Sequence, residues 1–204
     1  MTAKNENDDK HTTASLEAMI SRAGHAGDGL PPVDKWNPEF CGDLDMEIKR
    51  DGTWFYMGTP IGRAPLVRLF STVLRKDEDG KTYLVTPVEK IGITVEDAHF
   101  VAVEMNAHEV DGEQVITLRT NVGALVEAGP DNPLRFEITG EHDQLKPYVL
   151  VRGRLEALLA RPVMYELISY GGEIESNGEL MFALRSKGEV FPVMPAEKLA
   201  KLSK

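Results

Sequence analysis

The sequence predicts an α+β fold made of two small modules of antiparallel strands, each with a helix packed on its sheet. Three observations support this class. From residue 46 onward, apolar and polar residues alternate over short stretches, as in strands with one buried face. Asp-Gly and Asn-Gly pairs, which suit hairpin turns, separate several of these stretches. Two stretches with helical spacing, after Pro65 and Pro162, interrupt the strands.

The composition is that of an acidic globular protein. Of its 204 residues, 42% are apolar and 27% are charged, which suits one domain or two small ones. Its 33 acidic and 23 basic residues give a net charge of −10, so we expect no nucleic-acid partner. No apolar run approaches the roughly 20 residues of a membrane span, and the polar N-terminus lacks a signal-peptide core. We therefore expect a cytoplasmic protein without a membrane segment.

The predicted elements divide the chain into four parts. Residues 1–28 are expected to form a disordered tail and a short helix. The first α+β module is expected over residues 29–100, and a second, richer in strands, over residues 101–194. A short terminal helix is predicted for residues 195–204.

In the first module, a hairpin precedes a helix. Asp51-Gly52 suits the type I′ turn between two strands, of which the second carries Trp54 and Tyr56. Pro65 fits the first turn of a helix, because apolar residues follow it at helical spacing. These apolar positions are Leu66, Leu69, Phe70, Val73 and Leu74.

The following stretches alternate as strands do. A strand is predicted over Tyr83–Thr86, and Pro87 and Gly92 bracket the next turn. The clearest long hairpin joins Phe100–Val110 to Glu113–Thr120. Further along are an alternating strand at Leu134, Phe136 and Ile138, a helix after Pro162, and a hairpin at Asn177-Gly178.

Two stretches of the chain follow the same order of signals. In each, a proline opens an apolar helix and an Asx-Gly turn then leads into a strand: Pro65 and Asp79-Gly80 in one, Pro162 and Asn177-Gly178 in the other. An internal duplication would explain the order, and so would chance in a mixed chain. A duplication would place two similar modules at an interface, where ligand clefts often form.

Catalytic and metal-binding signatures are absent from the sequence. It has no His-x-x-x-His pair, nucleophile elbow, phosphate loop or dinucleotide glycine triplet, and Cys41 is its single cysteine. We expect no cofactor and no metal. Asp97 and His99 lie two positions apart, so a strand would place them on one face. They would then be the acid–base pair of a small hydrolase or isomerase, or merely the end of a strand.

The arginines suggest an anion site instead. Arg63 precedes the predicted helix, where main-chain N–H groups and the helix dipole attract anions. Trp54 and Tyr56 share a strand face near it, and Glu89 and Asp97 are weaker candidates. A ligand cleft between the modules, with Arg63 as its leading contact, is the predicted site. The alternative is that the arginines pair with surface carboxylates and the aromatic rings fill the core.

Part of the chain resembles a bacterial family catalogued as domain of unknown function 1285. The first matching runs are Trp36-Asn37-Pro38, Cys41-Gly42 and Asp51-Gly52-x-Trp54-x-Tyr56-x-Gly58-x-Pro60-Ile61-x-Arg63. The likeness continues in Tyr83-Leu84-Val85-Thr86-Pro87-Val88-Glu89-Lys90 and Val95-x-Asp97-x-x-Phe100. It covers roughly residues 29–194. The resemblance implies two domains with repeated structural motifs and a link to signal transduction, and it implies no catalytic residue.

These observations favour a cytoplasmic binding or regulatory module that senses a small anionic ligand or a protein partner. The competing class is the hydrolase or isomerase based on Asp97 and His99. A third class is a structural subunit, which would self-associate through an exposed apolar patch.

Overall fold

The structure is a computed structural model that describes Ala18 and residues 29–140, 144–176 and 178–198. Its chain divides into two units. The first comprises Met1–Asp97 and Gly153–Leu155, and the second Ala98–Arg152 and Glu156–Lys204. Over the described residues the fold is mostly β, with few helices. Apart from Ala18, the tail and short helix predicted for residues 1–28 lie outside the described residues, as does most of the helix predicted for residues 195–204, and Pro195 ends a strand.

Over its described residues, the first unit contains a six-stranded sheet. Its strands are β1 (Phe40–Ile48), β2 (Trp54–Tyr56), β3 (Thr59–Pro60), β4 (Leu74–Lys76), β5 (Thr82–Val85) and β6 (Lys90–Val95). The order across the sheet is β3-β2-β1-β6-β5-β4. Helix α1 (Ala64–Thr72) joins β3 to β4, and a 3₁₀ turn (Val33–Lys35) precedes β1.

The predicted hairpin at Asp51-Gly52 is confirmed, but its turn is not the predicted type I′, because Gly52 has a positive φ and Asp51 does not. β1 and β2 pair antiparallel, with Ile48 opposite Trp54. The Asp51 carboxylate accepts the N–H of Thr53 at 2.9 Å, and Gly52 adopts a positive φ of 83°. A short turn with this geometry needs a residue such as glycine at that position.

Helix α1 begins at Ala64, with Pro65 in its first turn, but it ends earlier than the apolar spacing predicted. Leu66 and Phe70 are buried as expected. Near the end of the helix, the hydroxyls of Ser71 and Thr72 donate to the carbonyls of Arg68 and Leu69 at 2.7 Å. Hydroxyl bonds of this kind weaken the end of a helix. Leu74 therefore begins β4 and pairs with Leu84.

Over its described residues, the second unit contains two sheets and a nine-residue helix. Its strands are β7 (Phe100–Val110), β8 (Glu113–Thr120), β9 (Leu125–Glu127), β10 (Leu134–Thr139), β11 (Gln144–Arg152), β12 (Leu155–Leu159), β13 (Gly172–Ser176), β14 (Glu179–Ser186) and β15 (Glu189–Pro195). The larger sheet has the order β10-β11-β12-β7-β8-β9, and β13-β14-β15 form the smaller one. Helix α2 (Arg161–Ser169) packs against β7. The predicted hairpins β7–β8 and β13–β14 are both confirmed.

The expectation of purely antiparallel sheets is wrong at the centre of each larger sheet. β1 runs parallel to β6, and β7 runs parallel to β12. In each larger sheet, the first three strands follow one another from the centre to one edge, and the last three follow one another from the other edge back to the centre. The first and sixth strands are therefore neighbours. A long connection is what allows two strands to lie parallel. Local turn signals cannot reveal such a pairing.

The small sheet of the second unit is anchored by a buried hydroxyl. Ser186 has no exposed surface, and its Oγ accepts the N–H of Ile116 at 2.9 Å and donates to the carbonyl of Ala128 at 2.7 Å. Beside it, the N–H of Lys187 donates to the carbonyl of Gln114 at 2.9 Å. These bonds fix the β14–β15 hairpin to β8.

Candidate functional site

The five predicted ligand contacts all lie in the first unit, but they do not form one cluster. Glu89 precedes β6 and Asp97 follows it, so the strand separates them. Six strand residues span about 20 Å. Glu89 and Asp97 therefore lie beyond opposite ends of β6.

Trp54 belongs to the core. It is 1% exposed, and its ring stacks on Phe70 of α1 with the ring centroids 6.1 Å apart. Its Nε1 has no hydrogen-bond partner among the described residues. Tyr56 ends β2 opposite Met46 and is half-buried. The core interpretation of Trp54 is thus the one that its contacts support.

Arg63 is exposed at the start of α1, but few main-chain donors remain beside it. Its own carbonyl accepts the N–H groups of Leu66 and Val67, at 2.9 and 3.1 Å. Pro65 has no N–H. The start of this helix is therefore a poorer anion site than the sequence predicted.

Glu89 and Asp97 are held by separate contacts. The N–H of Glu89 donates to Thr86 Oγ1 at 3.1 Å, and its Oε2 is buried with no hydrogen-bond partner in the described part of the chain. The Asp97 side chain is 8% exposed and forms an ion pair with Arg50, Oδ2 to Nε 3.1 Å. Both residues thus contribute to the turns that flank β6.

His99 is buried at the start of β7, in the second unit. Its Nδ1 accepts the main-chain N–H of Glu156 at 3.2 Å. A nitrogen that accepts this bond is not available as a base. The acid–base hypothesis for Asp97 and His99 would have to rely on Nε2 alone.

A cluster that was not predicted from the sequence lies on the side of the first sheet that carries Phe40, Asp43, Tyr83, Lys90 and Gly92, here called the outer face. Gly92 lies within β6, not in the predicted turn, and pairs with Asp43 of β1. A Cβ on Gly92 would overlap the Asp43 carboxylate and come within 3.6 Å of the Phe40 ring. The missing side chain therefore lets the carboxylate lie directly on the sheet.

Tyr83 is the aromatic centre of the outer face. The ring of Phe40 meets it edge to face with the centroids 6.0 Å apart, and Lys90 Nζ lies 4.7 Å from its ring centroid. Its hydroxyl donates to Asp79 at 2.5 Å. This bond to a carboxylate, together with burial and nearby acidic groups, raises the pKa of Tyr83 to about 12.

Arg75 of β4 connects this sheet to the segment before β1. Its guanidinium binds both carboxylate oxygens of Asp77, at 2.6 and 3.1 Å, and donates to the carbonyls of Val33 and Trp36, at 2.9 and 2.6 Å. Lys90 adds an ion pair to Asp77 at 3.3 Å. Partial burial acts to raise the pKa of Asp77, but the bonds from Arg75 and Lys90 outweigh it and hold that pKa below its usual value.

The open part of the outer face is acidic. Asp43 and Asp45 are exposed and Glu47 is half-buried, whereas Met46 and Ile48, on either side of Glu47, are buried. Neither Asp43 nor Asp45 has an ion-pair partner in the described ranges, while Glu47 pairs with Lys49 at 2.7 Å. The acidic positions alternate with Leu44, Met46 and Ile48, a strand signal that was present in the sequence.

The arrangement of the outer face suits binding more than catalysis. Asp43 is an exposed carboxylate beside aromatic rings, which is a setting that attracts cationic groups. The described residues contain no group of three or more His, Cys, Asp or Glu placed to hold a metal ion.

Among the helices in the same ranges, none has the length and apolar character needed to cross a membrane.

Comparison with known families matches nearly all of the described chain. Residues 31–98 match the N-terminal domain, and residues 99–193 the C-terminal domain, of the domain of unknown function DUF1285. No curated protein matches the chain.

Two solved structures resemble the chain. A DUF1285 family protein from Silicibacter pomeroyi DSS-3 is 44% identical, with a TM-score of 0.83, and the match covers 93% of this chain and 98% of that one. A DUF1285 family protein from Shewanella baltica OS155 is 24% identical, with a TM-score of 0.49, over 62% of this chain and 91% of that one.

Proposed function

The chain is a two-domain member of the DUF1285 family, and we propose that it is a cytoplasmic binding module that captures a protein partner through the acidic outer face of its first sheet. Such capture suits the regulatory role that the sequence suggested.

The observation that carries this proposal is the Asp43 carboxylate held over Gly92. It is exposed and lies on the sheet beside the Phe40 ring, and Asp45, which has no ion-pair partner among the described residues, is near it on the same strand. On β6, Lys90 lies opposite Phe40 and is paired with Asp77, and the next outer-face positions opposite β1 carry Gly92 and Thr94. A surface of this kind leaves room for a partner and attracts basic groups.

Of the two ligand classes expected from the sequence, the protein partner has the stronger support. A small anion at Arg63 would need main-chain donors, but the N–H groups of Leu66 and Val67 already donate to the Arg63 carbonyl. A basic protein segment needs only exposed carboxylates, which β1 supplies at alternate positions.

A peptide-binding titration tests the proposal. Fluorescence anisotropy would compare a labelled octapeptide in which lysine alternates with valine with one in which glutamate replaces lysine. We expect only the lysine peptide to bind, more weakly as salt increases. Replacing Asp43 and Asp45 by asparagine should raise its Kd about tenfold, because each exposed charge contact contributes up to ~1 kcal/mol.

The control is a pair of exposed carboxylates in the second unit. Glu173→Gln with Glu175→Gln removes the same charge from β13 and should leave the Kd unchanged. Equal weakening in both double variants would mean that only net charge matters, and the proposed role of the outer face would then be wrong.

We also propose that the two larger sheets arose by internal duplication. Both have the same strand order, and each carries an arginine opposite a tyrosine on the neighbouring strand: Arg75 opposite Tyr83, and Arg135 opposite Tyr148. Each arginine also binds a carboxylate two positions later, on Asp77 or Glu137. This correspondence places β4 with β10. The prolines that suggested the repeat differ in position, because α1 follows β3 and α2 follows β12.

A further inference from the structure

We propose that the partner binds as an added β-strand along the first half of β1, residues 40–45. This inference rests on the proposed function, since it specifies how the same acidic surface holds its partner.

The first half of β1 has a main-chain edge that β2 leaves open. β2 pairs with β1 only at Met46–Ile48. The last main-chain bond on that side of β1 joins the N–H of Met57 to the carbonyl of Asp45 at 2.9 Å. Met57 has a positive φ of 47° and begins the turn into β3. No strand in the described ranges lies beside residues 40–44 on this side. Unpaired N–H and C=O groups on such an edge can pair with an incoming strand.

The side chains along this edge define the chemistry of the partner. Asp43 and Asp45 are exposed there, and Phe40 is 52% exposed at the start of the strand. An extended segment with basic residues at alternate positions would place them beside these carboxylates, with an apolar residue against Phe40. A second copy of this edge fits poorly, because pairing β1 with itself brings aspartates together. The occupant we infer is therefore a basic segment of another protein.

An acidic edge can also serve only to prevent pairing. Natural proteins protect edge strands with charges and bulges, and the β1–β6 pairing has register shifts between Phe40 and Asp43 and between Asp43 and Glu47. The two interpretations differ in their consequences. A protected edge accepts no strand, whereas a docking edge forms main-chain hydrogen bonds with one side of an incoming strand.

Peptide N-methylation separates these cases without changing charge. Two versions of the lysine–valine octapeptide would be made, one methylated on the lysine amides and the other on the valine amides. Only alternate amides of a strand face its neighbour. We expect one isomer to bind like the parent peptide and the other to bind at least tenfold more weakly. Within residues 40–45, exchange of the amides that face the open edge should slow at least tenfold on binding the parent peptide.

The outcomes distinguish this inference from the proposed function. If both methylated isomers bind like the parent and exchange at residues 40–45 does not change, strand addition is wrong. Binding that still depends on Asp43 and Asp45 would then leave the proposed function intact. If the parent peptide does not bind at all, both proposals are overturned.

Discussion

At the scale of single residues, Gly92 determines the geometry of the outer face. Its lack of a side chain allows the Asp43 carboxylate to lie against β6. The glycine is needed there for space, since Gly92 is not among the residues with positive φ. The Asp43 carboxylate and the Gly92 backbone therefore form one unit, and a change to either affects the other.

Replacing Gly92 by alanine should destabilise the first unit. The new Cβ would overlap the exposed Asp43 carboxylate and force it to rotate away, so we expect a loss of about 1 kcal/mol in the free energy of unfolding. Urea denaturation measures this loss. Gly172→Ala is the matched control, because a Cβ on that strand glycine would have no atom within 4 Å. Adding Asp43→Ala to Gly92→Ala should restore most of the stability, and a failure to do so would contradict the steric explanation.

Asp77 should make stability depend on pH in the acid range. Its folded-state pKa lies below the reference value of 3.8, so its contribution is complete above that value and is lost as the pH falls through the folded pKa. The stability difference between the wild type and Asp77→Asn should therefore shrink as the pH falls from about 6 to about 2.5. Urea midpoints at several pH values measure it. A difference that stays constant over this pH range would contradict the lowered pKa of Asp77.

At the scale of elements, a single hydroxyl fixes the β14–β15 hairpin to β8. Ser186 is fully buried and bonds both the N–H of Ile116 on β8 and the carbonyl of Ala128, which directly follows β9. Removing such a hydroxyl leaves two main-chain groups without partners. The cost of an unmade buried hydrogen bond exceeds the gain from a made one.

Ser186→Ala should lower the free energy of unfolding by about 2 kcal/mol, because the Ile116 N–H and the Ala128 carbonyl lose their partner. Hydrogen exchange should also speed up at the Ile116 amide. The comparison is Ser169→Ala on α2, where an exposed hydroxyl donates to the Glu166 carbonyl. If the two variants lose equal stability, the anchoring role of Ser186 is wrong.

At the scale of the whole molecule, local signals in the sequence predicted most elements but not their long-range pairing. Asp51-Gly52 specified its hairpin, and Pro65 specified the start of α1, because turn geometry and helix starts depend on neighbouring residues. The Asp43–Gly92 contact exists only because β1 and β6 lie side by side. No local pattern carries that information. The predicted site therefore rested on residues close in sequence, and the outer face was missed.

The parallel centre of each larger sheet also has a consequence during synthesis. β1 ends at Ile48 and its neighbour β6 begins at Lys90, with all of β2 to β5 between them. Ribosomes add about 5–20 residues per second, so the edge of β1 that pairs with β6 stays unpaired for seconds before β6 is synthesised. β7 waits in the same way for β12. During this interval, the nascent chain exposes unpaired strand edges that can pair with the wrong strand. A chaperone would therefore protect the chain most before β6 and β12 are synthesised.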